Sequence, residues 1–219
     1  MHKKSARGTQ KPPLRSGFSA SAGGVTCKRA DTMEEFKKLE EVNEIDERHR
    51  LMGAVCGFVP TLSGMHEYLD KETLSTRAPE KIKSQFNVAR NMALYSYFLY
   101  SLAPEVHLKA YILIEQALAN KAASEKELSF KQLLGVALKE GWISDAGFRH
   151  LKNPCPDNQW CKSLVKIVPG LRNNLAHSPG MLVGDCLHRI SICADFINQL
   201  FPEPTCNKSL KNDAENRAF

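Results

Sequence analysis

Apolar residues recur at intervals of three and four positions through most of residues 79–201, and this spacing limits the possible folds more than any other feature. It marks one face of a helix between Ile82 and Tyr100, and again between Val106 and Ala117. No segment alternates apolar and polar residues as a half-exposed strand does. The sequence therefore predicts an all-α fold, a helical bundle of about five main helices joined by short connections.

Proline and glycine residues divide this region into separate helices. Pro169-Gly170 is expected to interrupt one of them before a helical stretch over residues 171–177. The first helix carries a second apolar stripe, and we therefore expect it to be the central one. The predicted helices span residues 79–102, 104–118, 130–140, 145–152, 158–168 and 184–201.

The distribution of charge separates the N-terminal segment from the rest of the chain. The formal net charge is +6, but residues 1–30 hold seven basic side chains and no acidic one, which leaves 23 basic against 24 acidic residues in the remainder. Residues 1–30 are therefore interpreted as a flexible basic arm that contacts RNA without sequence specificity. Its basic residues are Lys3, Lys4, Arg7, Lys11, Arg15, Lys28 and Arg29.

The arm is followed by three further predicted segments. Residues 31–78 form an N-terminal helical extension, with a charged helix from Asp31 to about Arg50 and a short helix at Leu62–Lys71. Residues 79–203 form the helical bundle. Residues 204–219 form a polar tail.

The cysteines and the apolar segments indicate in which cellular compartment the protein is expected. None of the seven cysteines forms a CxxC pair, and no pair of histidines completes a zinc pattern, so neither a metal nor a cofactor is expected. Cys186 and Cys193 lie one heptad apart, where free cysteines behave as small apolar residues. With no targeting segment and no stretch long enough to span a bilayer, the sequence predicts a cytoplasmic protein without a membrane partner.

One segment combines residue types that can carry chemistry: Arg172-Asn173-Asn174-Leu175-Ala176-His177. In this segment an Arg is followed directly by a polar residue, and four residues separate that Arg from a His near the end of a bundle helix. This pattern resembles the signature of the HEPN superfamily. The order of helices over about residues 79–201 is also similar to that family. Some nuclease subfamilies have a Tyr two residues after the His; Pro179 occupies that position here, so their variant is not indicated.

The resemblance implies metal-independent RNA cleavage with Arg172, Asn173 and His177 as catalytic residues. In that chemistry the ribose 2′-hydroxyl attacks the adjacent phosphate, which requires a base, an acid and donors to the charged phosphorane. Histidine suits either proton role near neutrality, and arginine binds phosphate oxygens through a fixed fork of donors. Asn173 and His177 are four residues apart and share a helix face, whereas Arg172 lies about 140° from His177 on an ideal helix.

The family also implies partners. One chain supplies a single histidine in this motif, whereas a two-fold homodimer supplies two across one cleft. The resemblance further suggests a toxin or defence effector acting on RNA, with an antitoxin or regulatory protein as a further partner.

Other interpretations remain open at this stage. The same bundle could be a non-catalytic HEPN-like module that binds RNA or a protein, or a bundle unrelated to the family. The polar face of the last predicted helix carries Asp185, His188 and Asp195. These residues could form an acid–base pair, or they could form a solvated surface. Glu115 borders an otherwise apolar helix and is interpreted as a packed flank.

Overall fold

The computed structural model describes residues 34–124, 126–177 and 184–204, and its helices all lie in the unit Phe36–Phe219. Every regular element in the described ranges is helical, which confirms the predicted all-α class. None of the described helices is both long and apolar enough to cross a bilayer. The α-helices are α1 (Glu47–Cys56), α2 (Leu62–Asp70), α3 (Glu80–Tyr95), α4 (Leu102–Ala122), α5 (Phe130–Lys139), α6 (Gln159–His177) and α7 (Cys186–Leu200), and two 3-10 turns lie at Leu39–Glu41 and Asp145–Gly147.

Local capping groups fix where several helices begin. The Thr61 hydroxyl accepts a hydrogen bond from the backbone N–H of Gly64 at the start of α2. Ser129 and Gln132 form a reciprocal capping box at the start of α5. Because the first backbone N–H groups of a helix have no partner within it, each such acceptor removes an unsatisfied donor.

Helix α4 forms the centre of the bundle. Helices α3, α5, α6 and α7 all pack against it, and Val106, Leu113 and Leu118 have no exposed surface. The expectation that the first long helix would be central is wrong. Its second apolar stripe is only partly covered: Val88 and Tyr95 are exposed, whereas Met92 packs against the core.

Three other expectations about helix boundaries are also wrong. The charged helix predicted from Asp31 to about Arg50 is replaced, within the described residues, by a 3-10 turn and by α1, which starts only at Glu47. The helix predicted over residues 145–152 is a single 3-10 turn. Helix α6 continues through Pro169, because residues on both sides of it, such as Val168 and Leu175, pack on the same core.

A buried carboxylate from outside α6 caps that helix. Asp145 accepts hydrogen bonds from the backbone N–H groups of Trp160 (3.1 Å) and Cys161 (2.9 Å), in the first turn of α6. Burial alone would raise the pKa of the Asp145 carboxyl, but the hydrogen bonds from Cys161 and Trp160 outweigh it and hold the pKa below its usual value. The charge of Asp145 therefore stabilises the start of α6.

We expect Asp145→Ala to lower the free energy of unfolding by about 1–3 kcal/mol, because it leaves two buried N–H groups without acceptors. Asp157→Ala is the matched control, since Asp157 is exposed near the same helix start and its loss should change stability by no more than about 0.5 kcal/mol. Urea unfolding followed by circular dichroism measures both. Equal stability of the two variants would contradict the capping role.

Candidate functional site

Helix α6 divides the Arg172–His177 motif between two of its faces. Its core-facing residues recur at steps of three and four, and Arg172 belongs to this row, next to the buried Val168. Asn173 and His177 lie on the other side of the helix and are exposed. Asn173 and His177 therefore share a solvent-facing surface, while the arginine starts from the inner face.

Arg172 reaches across to α4. Its Nη2 lies 3.3 Å from Oε2 of Glu115, which forms an ion pair, and its Nη1 donates to Oδ1 of Asn173 at 3.3 Å. Nε of Arg172 is buried and has no hydrogen-bond partner among the described residues. The guanidinium is therefore held between Glu115 of α4 and Asn173 of α6, and its buried Nε is left without an acceptor.

The structure joins only part of the predicted set. Arg172 and Asn173 are in contact, whereas no described residue lies within hydrogen-bond distance of His177, which forms the exposed last residue of α6. Within one chain, His177 thus stands apart from the Arg172–Glu115 pair.

Arg172 and Glu115 line a cleft between α4 and the segment that leads into α5. The cleft has a volume of about 430 Å³, and Gln116, Leu128 and Leu133 form other parts of its wall. This volume falls within the range of small-molecule sites. The ion pair therefore borders an open space and is only partly shielded from water.

Glu115 is the residue whose role sequence reasoning missed. It was interpreted as a packed flank, but it holds the motif arginine. One signal was present: Glu115 is the single acidic residue between Val106 and Ala119 in a helix that is otherwise mostly apolar there. An isolated charge on a buried helix indicates a partner on a neighbouring element.

A second polar contact missed by sequence reasoning ties the start of α7 to α4. His107 is buried on α4; its Nδ1 accepts a hydrogen bond from Nε of Arg189 at 3.1 Å, so its Nε2 donates to the carbonyl oxygen of Gly184 at 3.1 Å. The Arg189 guanidinium also lies over the Tyr111 ring, 5.0 Å from its centroid. Burial, reinforced by the positive charge of Arg189, lowers the pKa of His107 to about 4.

The alternative acid–base pair on the last helix is not formed. Asp185 caps α7 by accepting from the backbone N–H of His188. Asp195 is buried and pairs with Arg149, which also binds the buried Glu72. These carboxylates therefore have structural partners, and the interpretation of Asp195 as part of a solvated surface is wrong as well.

Two further observations complete the description of the site. Within residues 34–124, 126–177 and 184–204, no group of three His, Cys, Asp or Glu side chains is placed to hold a metal ion. The seven basic residues of the predicted arm lie outside the described residues.

Comparisons of the chain with protein-family models, curated proteins and solved structures give no match.

The buried neutral state of His107 predicts an acid-sensitive fold. Because its pKa is lower in the folded than in the unfolded chain, stability is lost as the pH falls from about 6.5 towards about 4, at up to about 1.4 kcal/mol per pH unit. His107→Gln keeps a donor for Gly184 and removes the titration. Thermal unfolding from pH 7 to 4.5 should therefore show a shallower loss of stability in this variant than in the wild type. Parallel profiles would contradict the assignment.

Proposed function

We propose that this chain is a HEPN-like, metal-independent endoribonuclease that cleaves RNA at a composite site formed by two copies. The observation that carries the proposal is the arrangement at the end of α6. It combines exposed Asn173 and His177 with an arginine whose ion pair to Glu115 is partly exposed. Such a set offers a proton-transfer group and phosphate donors within two turns of one helix.

The chemistry assigns each residue a role. An imidazole takes the proton of the ribose 2′-hydroxyl, whose oxygen attacks the adjacent phosphorus. A second imidazole gives a proton to the departing 5′-oxygen, and Arg172 donates to the phosphorane oxygens. The bond between phosphorus and the 5′-oxygen breaks, leaving a 2′,3′-cyclic phosphate and a 5′-hydroxyl end.

The two proton roles explain why two copies are needed. Each chain contributes one His177, so a two-fold dimer supplies both imidazoles to one cleft. Asn173 orients an imidazole or holds an oxygen. We further propose a role as a toxin or defence effector, restrained by an antitoxin or another regulatory protein.

One observation favours a second candidate, a non-catalytic HEPN-like module that binds RNA or a protein. Glu115 holds Arg172 towards the inner side of α6, and His177 has no contact with it among the described residues. The neighbouring surface of α6 exposes Ile167 and Leu171, which suits a protein contact. Cleavage assays separate the two candidates.

We expect His177→Ala to lower the rate of single-stranded RNA cleavage by about 10²–10⁴-fold, because a proton-transfer group is lost. His66→Ala is the matched control, since His66 is exposed on α2 and outside the motif. Arg172→Ala should fail similarly and Asn173→Ala less severely. Wild-type products should carry 2′,3′-cyclic phosphate or 3′-phosphate ends, and EDTA should not inhibit, because both proton transfers use imidazoles.

Wild-type rates for His177→Ala, or a requirement for a divalent metal, would remove the catalytic assignment. RNA binding without any cleavage would select the non-catalytic module instead. Circular dichroism and the mass in solution should match the wild type in every variant, so that a lost fold is not mistaken for a lost catalyst.

Deleting residues 1–30 should weaken RNA binding about equally across sequences, because phosphate contacts carry no sequence information. The slope of log affinity against log salt should fall by up to about five to six, if all seven basic residues contact phosphates. Fluorescence anisotropy at several salt concentrations measures the slope. An unchanged slope would place the RNA-binding surface on the helical bundle.

A further inference from the structure

Helix α1 is fixed at its beginning to the connection between α3 and α4. The buried Asp46 carboxylate accepts hydrogen bonds from the backbone N–H groups of Arg48 (3.0 Å) and Tyr100 (2.8 Å). His49 Nε2 lies 2.8 Å from the carbonyl oxygen of Ser96. The direction in which α1 leaves the bundle is therefore set by buried polar contacts.

The rest of α1 and the segment after it present apolar side chains to solvent. Val55 is 82% exposed, Phe58 70% and Leu51 58%. We call residues 51–62 the apolar hairpin; its other exposed large apolar residues are Met52, Val59 and Leu62. These six side chains expose on the order of 600 Å² of apolar surface, as much as the largest patch of a typical monomer.

The apolar hairpin is held in one shape by close packing within itself. A Cβ on Gly53 would lie 2.5 Å from Cγ2 of Val59, so the chain folds back over a position where only glycine fits. Gly57 ends α1 with φ of 82°, in the left-handed region that glycine adopts without strain. The backbone that carries the exposed side chains is therefore constrained at two points, which lowers the cost of ordering it when a partner binds.

The sequence of the hairpin indicates what kind of partner fits. Between Arg50 and Glu67 the chain has no Lys, Arg, Asp or Glu. A two-fold interface brings a patch against its own copy, where like charges would repel. An uncharged apolar patch avoids that cost and is complementary to itself.

Size and position also suit a second copy. A standard interface buries about 800 Å² per partner, and the exposed apolar surface alone supplies most of that. The hairpin leaves the bundle from the same end as the start of α7, where Ser96 Oγ lies 3.4 Å from Cys186 Sγ.

We propose that the apolar hairpin packs against the same hairpin of a second copy and holds the homodimer together. The need for two copies of His177 rests on the proposed function. The exposed, uncharged surface of the hairpin is an observation that does not depend on that function. On this arrangement, the segment before the bundle is the dimerisation element of the protein.

The test is the mass in solution of Val55→Glu, measured by light scattering coupled to gel filtration at micromolar concentration. The wild type should run near 49 kDa, twice the 24.5 kDa of one chain, and the variant near 24.5 kDa. Val88→Glu is the matched control, because it introduces the same change at an exposed valine on α3, and it should remain a dimer. Since Val55 is mostly exposed, the helicity of the variant should match that of the wild type.

Each other outcome overturns the inference or separates it from the proposed function. A dimeric Val55→Glu, or a wild type near 24.5 kDa, would overturn it; flotation of that monomer with phosphatidylglycerol vesicles would assign the hairpin to a membrane surface instead. A dimer that dissociates on Val55→Glu but cleaves no RNA keeps this inference and removes the nuclease. If Val55→Glu remains a dimer and cleaves RNA, the nuclease proposal is kept and this inference is removed.

Discussion

The close packing of α4 against its neighbours is the constraint on which the rest of the structure depends. Ala103, Ala110 and Ala117 recur every seventh residue along α4, and all three are buried. Small side chains let helix backbones approach closely, and Cys193 Sγ on α7 lies 3.7 Å from the carbonyl oxygen of Ala110. Because protein interiors are packed at crystal-like density, such a seam leaves little freedom for α4 to shift or rotate.

This fixed helix holds both ends of the segment that follows the motif arginine. Glu115 binds Arg172 in α6, and His107 binds Gly184 just before α7. The two anchors are eight residues apart on α4, which corresponds to about 12 Å along its axis. The position of His177, between Arg172 and Gly184 in the chain, is therefore limited from both sides by contacts with one rigid element.

The spacing of apolar residues predicted the helices well where one face is buried, as in α5 and α7. It was wrong about the central position of α3 because periodicity identifies a stripe but not what covers it, and Val88 and Tyr95 of the second stripe are exposed. It also expected a break at Pro169, where tertiary packing outweighs one lost hydrogen bond. Contacts between distant residues, such as Asp145 with the start of α6, leave no periodic signal in the sequence.

The candidate site also combines features that the sequence predicts with features that only the structure shows. The four-residue spacing predicted that Asn173 and His177 share a face, and both are exposed on α6. The pairing of Arg172 with Glu115 joins residues 57 positions apart, and only the three-dimensional packing of α6 on α4 reveals it. Local sequence reasoning therefore finds which residues can react but not how they are held before a ligand binds.

The strength of that pairing decides whether Arg172 can act on a phosphate. An ion pair that remains partly exposed contributes about 0–1 kcal/mol, and Arg172 and Glu115 keep 35% and 28% of their side-chain surface. Two of the five guanidinium N–H groups make hydrogen bonds to described residues, whereas Nε is buried and faces away from an incoming phosphate. On the proposed function, the arginine therefore exchanges Glu115 for phosphate at little cost, and the released carboxylate still contacts water. The same exchange is unfavourable for Arg149, because Glu72 and Asp195 are almost fully buried and would be left as unpaired charges in the interior.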